Sequence, residues 1–412
     1  MHTIGIIAEY NPFHNGHIHQ INTIRQHHPR ARIIAVMSGS FTQRGCPAIL
    51  DKWQRAHHAV LGGVDLVLEL PTAFAVRSAQ DFARGGVSLL ARLGIADGLA
   101  FGAESSAAVL QRAAASMDTQ EVQEKLHVAV RSGMSYAAAL SRAIAETCSI
   151  DEALLKKPNN ILAIEYLRTL KKSRLPIEPL IIQRVGAAYH DQELYERYAS
   201  ASAIRREIYA PLPERERLAK VLPASGAEAL LKARSEGAIP ETELLLRPLL
   251  AELEHHSAGR LQEIYSFNEG LENRLLRVAA HCRSLEELLN ECRSRRYPKS
   301  RIQRLLLHLL LRLRKEEVHT FDEAGALYAR VLAFNHTGKD MLHEIKQRGT
   351  LPLVSKTSHF LKDPARCSPQ ERSPLENMLA VDVHATELRR LCLPKIGRHG
   401  EDFRRSPLFI SE

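Results

Sequence analysis

The chain has 412 residues, 45% hydrophobic and 25% charged, with 56 Lys and Arg against 47 Asp and Glu for a formal net charge of +9. This excludes a disordered chain, implies two domains, and permits a polyanionic partner without naming one. No apolar run reaches ~18 residues, the six cysteines form no CxxC pair, and Met1-His2-Thr3 carries no basic leader, so a soluble protein of the reducing cytoplasm is expected rather than a secreted, disulfide-stapled or membrane-spanning one.

The first apolar run, Ile4-Gly5-Ile6-Ile7-Ala8, has the length of a buried strand and leads into Glu9-Tyr10-Asn11-Pro12-Phe13-His14-Asn15-Gly16-His17. Asn11-Pro12 and Asn15-Gly16 spell a turn, after which Ile18, Ile21 and Ile24 begin a helical period. His14 and His17 thus fall at a predicted helix N-terminus, where unpaired N–H groups and the helix dipole favour an anion, usually a phosphate. Gly16 permits close approach of backbone and ligand, and imidazoles can donate to a phosphoryl group whose charge grows during reaction. The pattern reads as a nucleoside triphosphate site; a plain turn with two solvated histidines is the alternative. His-x-x-His with no cysteine or acidic residue at ligand spacing does not call for a metal.

Residues 32–38, 65–71, 98–102 and 178–183 are further strand-length apolar runs, separated by helix-length segments. Strands apolar on both faces that alternate with helices predict an α/β fold with a covered parallel sheet, whose sites gather at the carboxyl edge near a switch in strand order. The motifs fall at such ends. Ser38-Gly39-Ser40-Phe41-Thr42-Gln43-Arg44-Gly45 follows the second run and suits a loop presenting Gln43 and Arg44 to an anion, or a solvated loop. Gly102-Ala103-Glu104 follows the fourth, Gly102 being either a turn glycine or a point of close approach to a nucleotide.

Residues 105–150 read as alanine-rich packing helices. In Lys156-Lys157-Pro158-Asn159-Asn160, the proline ends what precedes it, and Asn159 or Asn160 is either an N-cap or a pair of amides for an adenine edge or ribose. Arg184, with Val185 beside it, closes the fifth run where its planar donors can grip phosphate oxygens; His190-Asp191 could form an oriented base. Ser200 and Ser202 can donate to phosphate oxygens and Arg205 can neutralise charge, unless the segment is a serine-capped helix.

From about Pro211 strand-like runs give way to leucine-rich helical segments, so residues 1–212 are expected to form a nucleotide-binding domain and residues 213–412 a mainly α-helical one. Residues 293–315 hold nine Lys and Arg and no acidic residue. A helix beginning near Ser300 would bury Ile302, Leu305, Leu306, Leu309 and Leu313 and turn Arg301, Arg304, His308 and Arg312 outward, either as a solvated basic face or, as preferred here, toward RNA phosphates with salt-sensitive binding. Residues 333–339 read as a glycine-bearing turn and 351–356 as a short strand or extended segment, and the tail beyond is weakly constrained.

His14-Asn15-Gly16-His17 resembles the HxGH signature of the nucleotidyltransferase superfamily, and Ser200-Ala201-Ser202-Ala203-Ile204-Arg205 resembles its second signature, written ISxTxIR. Together with residues 9–17, 38–45, 157–162, 333–339 and 351–356, these blocks are similar to the bacterial tRNA(Met) cytidine acetate ligase family. Cys46 departs from that pattern, which carries Glu there. The resemblance implies a Rossmann-like fold and activation of acetate by ATP, with Mg2+, for transfer to the wobble cytidine of elongator tRNA(Met). It further implies a nucleotide site drawn from Ile7, Ala8, Glu9, Tyr10, Asn11, Pro12, Phe13, His14, Asn15, Gly16, His17, Gly102, Asn159, Asn160, Arg184, Val185, Ser200 and Ser202. His14, His17, Arg184 and Arg205 are the expected catalytic groups, and Gln43, Arg44, Arg301, Arg304 and Arg312 the expected substrate contacts. The rival readings are a nucleotidyltransferase passing AMP or CMP to a small metabolite, and an RNA-binding protein with a degenerate site.

Overall fold

The computed structural model describes residues 2–184, 198–268, 270–362 and 371–411. The five expected strands are present as β1 (Thr3–Ala8), β2 (Arg32–Ser38), β3 (Leu66–Leu70), β4 (Gly98–Ala103) and β5 (Glu178–Gln183), all parallel in the spatial order β5-β4-β1-β2-β3. Their aliphatic side chains alternate between two cores. Ile4, Ile6 and Ile33 pack with Ile21, Ile24 and Trp53 of helices Asn15–His27 and Lys52–Leu61. Ile7, Ile34 and Val36 pack with Phe82 and Leu90 of Ala79–Arg92 and with Ile164 and Leu167 of Pro158–Ser173. From β1 the chain proceeds outward to β2 and β3, then crosses to β4 and β5 on the other side. The carboxyl ends of β1 and β4 therefore flank the switch point where ligands of such sheets lodge.

The sheet does not end with the first half of the chain. β6 (Ala329–Phe334) pairs antiparallel with β3, and both β7 (Leu353–Val354) and β8 (Leu408–Phe409) pair parallel with β6. The expectation that strands cease near Pro211 is corrected. The signal was hidden by Arg330, a charge in the middle of the β6 run. Arg330 is buried because the tail supplies its partner: it donates to Asp402 and to Thr357 Oγ1 (3.0 Å) and lies 3.3 Å from a Glu69 oxygen. Lys52 Nζ sits 2.9 Å from both Glu69 oxygens and 2.7 Å from Asp402. Two cations and two carboxylates thus neutralise one another out of contact with water.

The segment between β5 and β6 is helical and builds a core of its own around Leu249, Leu275, Leu288, Leu305 and Leu309, which Phe41 and Val76 of the first half enter. No helix among the described residues is long and apolar enough to cross a membrane. Cys46, Cys148, Cys282, Cys292 and Cys392 are free thiols.

Replacing Lys52 with Met should leave Glu69 and Asp402 to share Arg330 alone. Removing one partner from a buried ionic cluster costs about 3–5 kcal/mol, a loss that chemical denaturation of the variant and the parental protein will measure.

Candidate nucleotide-binding site

His14 is the N-cap of the helix Asn15–His27, and the cap is reciprocal: Gly16 N–H donates to His14 Nδ1 (3.0 Å), while His14 N–H donates to His17 Nδ1 (3.1 Å). A Cβ on Gly16 would come within 2.9–3.0 Å of the His14 ring, so the cap requires glycine there. The two rings stack with centroids 3.8 Å apart, and Phe13 and Tyr10 pack against His17 at 5.4 and 4.8 Å. Burial first, then the charges of Arg184 and Arg205, lower the His14 pKa to about 3; burial and His14 push His17 well down. Both rings are therefore neutral at physiological pH. Because Nδ1 of each accepts from the backbone, the ring proton resides on Nε2, a donor left for an incoming anion.

The surrounding turn is held by groups that sequence patterning does not reveal. Arg55 is completely buried and donates to the carbonyl oxygens of Glu9 (2.6 Å), Ser38 (3.0 Å), Leu50 (3.1 Å) and Gly39. Burial lowers its pKa only to about 10, so it stays charged. Asn11 Oδ1 accepts from Ile49 N–H (2.7 Å) and the Asn11 carbonyl accepts from Arg205 (2.7 Å). Tyr10 and Phe13, named above as nucleotide contacts, have side chains 1% exposed that fill the core, which leaves their backbone as the part able to meet a ligand. Asn15 reaches the Lys220 carbonyl (2.9 Å), and Ile7 and Pro12 are buried while Ala8 is half-buried.

At the end of β4, Gly102 lies against Arg184, whose Cγ is 3.3 Å from where a Cβ would stand. The helix after Lys157 begins at Pro158 as its first residue, so the N-cap expected at Asn159 or Asn160 is corrected: Pro158 opens the helix because its ring presets φ and it has no N–H to leave unpaired. The Asn160 side chain is engaged within the protein. Its Oδ1 accepts from Glu104 and Ser105 N–H (2.9 and 3.1 Å), and its Nδ2 donates to Ser105 Oγ and the Leu154 carbonyl (2.8 Å each). Glu104 in turn accepts from the Asn159 side chain and from Asn160 N–H (3.1 Å). The pair braces the loop after β4.

Arg184 and Arg205 act electrostatically on His14 from β5 and from the helix Ala201–Tyr209. Ser200 caps that helix, accepting from Ala203 N–H (3.1 Å), which leaves its hydroxyl proton for a ligand; Ser202 is exposed and accepts from Arg205 (3.2 Å). Val185 and the His190-Asp191 pair lie outside the described residues. Four of the expected groups, His14, His17, Arg184 and Arg205, are thus brought to one edge of the sheet from β1, β5 and a later helix.

The basic segment differs from expectation. The helix Lys299–Leu310 packs on the first half: His308 is 1% exposed, with Nε2 2.9 Å from the Val76 carbonyl. Arg312 lies past the helix with φ +52 and pairs with Glu252 (3.1 Å). The outward stripe is corrected at His308, which is enclosed against Val76, while Arg312 stays exposed. The middle of the helix meets the motif loop: Gln303 donates to Cys46 Sγ (3.2 Å), and Gly45, at φ +80, lies against the Arg304 backbone. Arg44 is exposed, whereas Gln43 is tied down, donating to Glu9 Oε1 (2.7 Å) through its N–H and to the Arg77 carbonyl (2.9 Å) through its amide.

A family model described as HIGH nucleotidyl transferase matches residues 1–402. The chain is 39% identical to the tRNA(Met) cytidine acetate ligase of Syntrophotalea carbinolica, across 100% of this chain and 99% of that one. The chain belongs to the tRNA(Met) cytidine acetate ligase family. The Syntrophomonas wolfei ligase is 37% identical over 99% of both chains. Two crystal structures of the ligase-family protein TmcAL from Thermotoga maritima superpose with TM-scores of 0.90 (apo) and 0.89 (bound with alpha-thio ATP), each at 32% identity over the whole of both chains.

The neutral histidine has a consequence for acid stability. The folded pKa of His14 lies below its ordinary 6.5, so below that pH the unfolded chain takes up the proton first. Its contribution is intact above about pH 6.5 and is lost as pH falls toward 3, at up to ~1.4 kcal/mol per unit. Denaturation midpoints from pH 7 to pH 4 should fall less steeply in His14→Gln, by about one proton.

Proposed function

We propose that this chain is a cytoplasmic ATP-dependent ligase that activates acetate as acetyl-adenylate and transfers the acetyl group to N4 of the wobble cytidine of elongator tRNA(Met). The observation that carries the reading is the reciprocal histidine cap: two neutral Nε2–H donors at a helix N-terminus, at the switch point of a parallel sheet, with Arg184 and Arg205 in electrostatic range. Acetate is already an anion at neutral pH and requires no base to attack the α-phosphorus. What it requires is relief of repulsion between two anions, together with stabilisation of departing pyrophosphate, and fixed donors and cations supply both.

Among the described residues no group of three or more His, Cys, Asp or Glu side chains is assembled to hold a metal. This suits an ion that arrives on the triphosphate, since Mg2+ commonly keeps phosphate oxygens and waters as ligands. When bound it would spread the charge of the phosphates.

For the nucleic acid, the favoured contact is the turn where Arg301 and Arg304 meet the loop carrying Arg44. Arg304 is pushed down to about 10 by burial and by the neighbouring charges of Arg301 and Arg44, and a phosphate would remove that cost. A wobble base lies in a single-stranded loop and is accessible without breaking a helix. The match with full-length relatives of that printed name supports this substrate.

Acetate-dependent ATP–pyrophosphate exchange without tRNA tests the first step. His17→Ala should lower it by about 10²–10³-fold, and exchange that persists in this variant would remove the histidine pair from the chemistry. Arg301→Ala combined with Arg304→Ala should weaken tRNA binding and flatten its dependence on log salt by about 1–2 units, measured by filter binding across salt concentrations.

A further inference from the structure

The acceptor amine has still to lose a proton, and among the described residues one carboxylate at this edge stands ready for it. Glu9 follows directly on β1 and is half-buried. Its Oε1 is fixed by Gln43 N–H at 2.7 Å and its carbonyl by Arg55 at 2.6 Å. The other carboxylates described at this edge are committed. Glu104 accepts from Asn159 and Asn160, Glu69 and Asp402 hold Lys52 and Arg330, Asp51 caps the helix Lys52–Leu61, and Asp81 pairs with Arg77 and Arg84. Among the described residues, Glu9 Oε2 has no hydrogen bond or ion pair.

Its surroundings join the two substrates. Five residues along the same turn is His14, where the adenylate would form. On the other side the charge of Glu9 acts on the Cys46 thiol, and Cys46 is bonded by Gln303 of the helix that carries Arg301 and Arg304. A base whose backbone rested on those arginines would enter past Cys46.

We propose that Glu9 is a catalytic residue of acyl transfer: Oε2 accepts one N4–H of the cytosine and takes that proton as N4 attacks. A carboxylate is the natural acceptor for this amine, and proton removal matters because the nitrogen lone pair is delocalised into the ring. In the step, N4 bonds to the acyl carbon and the bond from that carbon to the phosphate oxygen breaks. AMP departs with the electron pair, one N4 proton moves to Glu9 and then to solvent, and the other stays on the amide. The inference rests on the ligase reading of the preceding section.

Glu9→Gln keeps an oxygen for Gln43 N–H and removes the basic one. Single-turnover transfer from supplied acetyl-adenylate to saturating tRNA is measured beside acetate-dependent pyrophosphate exchange. The ratio of transfer to exchange should fall by about 10²-fold or more in Glu9→Gln, and Glu9→Asp should recover about tenfold of that loss. Transfer within about threefold of the parental rate overturns the proposal, as does an equal fall in both rates, which would make Glu9 a nucleotide-site residue alone. A parental protein with no exchange overturns the ligase reading and this inference with it, whereas parental exchange with an unaffected Glu9→Gln overturns only the role of Glu9.

Discussion

A single buried guanidinium fixes the edge of the sheet where the chemistry is proposed to occur. Among the described residues Arg55 has no carboxylate partner; it directs its donors to four carbonyl oxygens, those of Glu9, Ser38, Gly39 and Leu50. These are the carboxyl ends of two adjacent parallel strands and the entry to a helix, where the chain leaves the sheet and its carbonyls lose their ladder partners. Lysine, with one compact ammonium, could not span them. With those ends fixed, Glu9 and the histidine cap that follows inherit defined positions.

The same economy joins the two halves. The loop between β2 and the helix Lys52–Leu61 is held by Asn11 from the histidine turn, by Gln303 from the helical half, and by Arg389, which donates to the Ala48 and Ile49 carbonyls from the helix Pro374–Leu391. Nucleotide edge and helical half are therefore not beads on a linker. Gln303 of Lys299–Leu310 touches Cys46, and the same loop carries Gln43, whose N–H holds Glu9.

The sequence was most legible where a pattern is local and repeated. The aliphatic runs of β1 to β5, the turn at Asn11-Pro12 and the helix after His14 could be read directly, because hydrophobic period and turn chemistry are set by neighbours in the chain. What escaped reading depends on partners far away. β6 was masked by Arg330, whose burial makes sense only beside Asp402, 72 positions later. The basic stripe failed at His308 because a leucine-rich helix enclosed on several sides looks, in one dimension, like an amphipathic one. The bracing of the loop after β4 by Asn160 was not legible either, because its partners Glu104 and Ser105 stand more than fifty positions earlier. Arg55 and Arg389 had no signature, since backbone carbonyls as partners leave no trace in composition.

The sheet contains strands from both ends of the chain, and this bears on synthesis at the ribosome. When the first two hundred residues have emerged, the outer side of β3 has open hydrogen-bonding groups and Lys52 and Glu69 lack the partners that arrive with Arg330 and Asp402. An edge of that kind invites wrong pairings. The first half can thus complete its sheet only after residues 329–409 have emerged, so a chain stopped before them would be a candidate for aggregation or degradation rather than a working fragment.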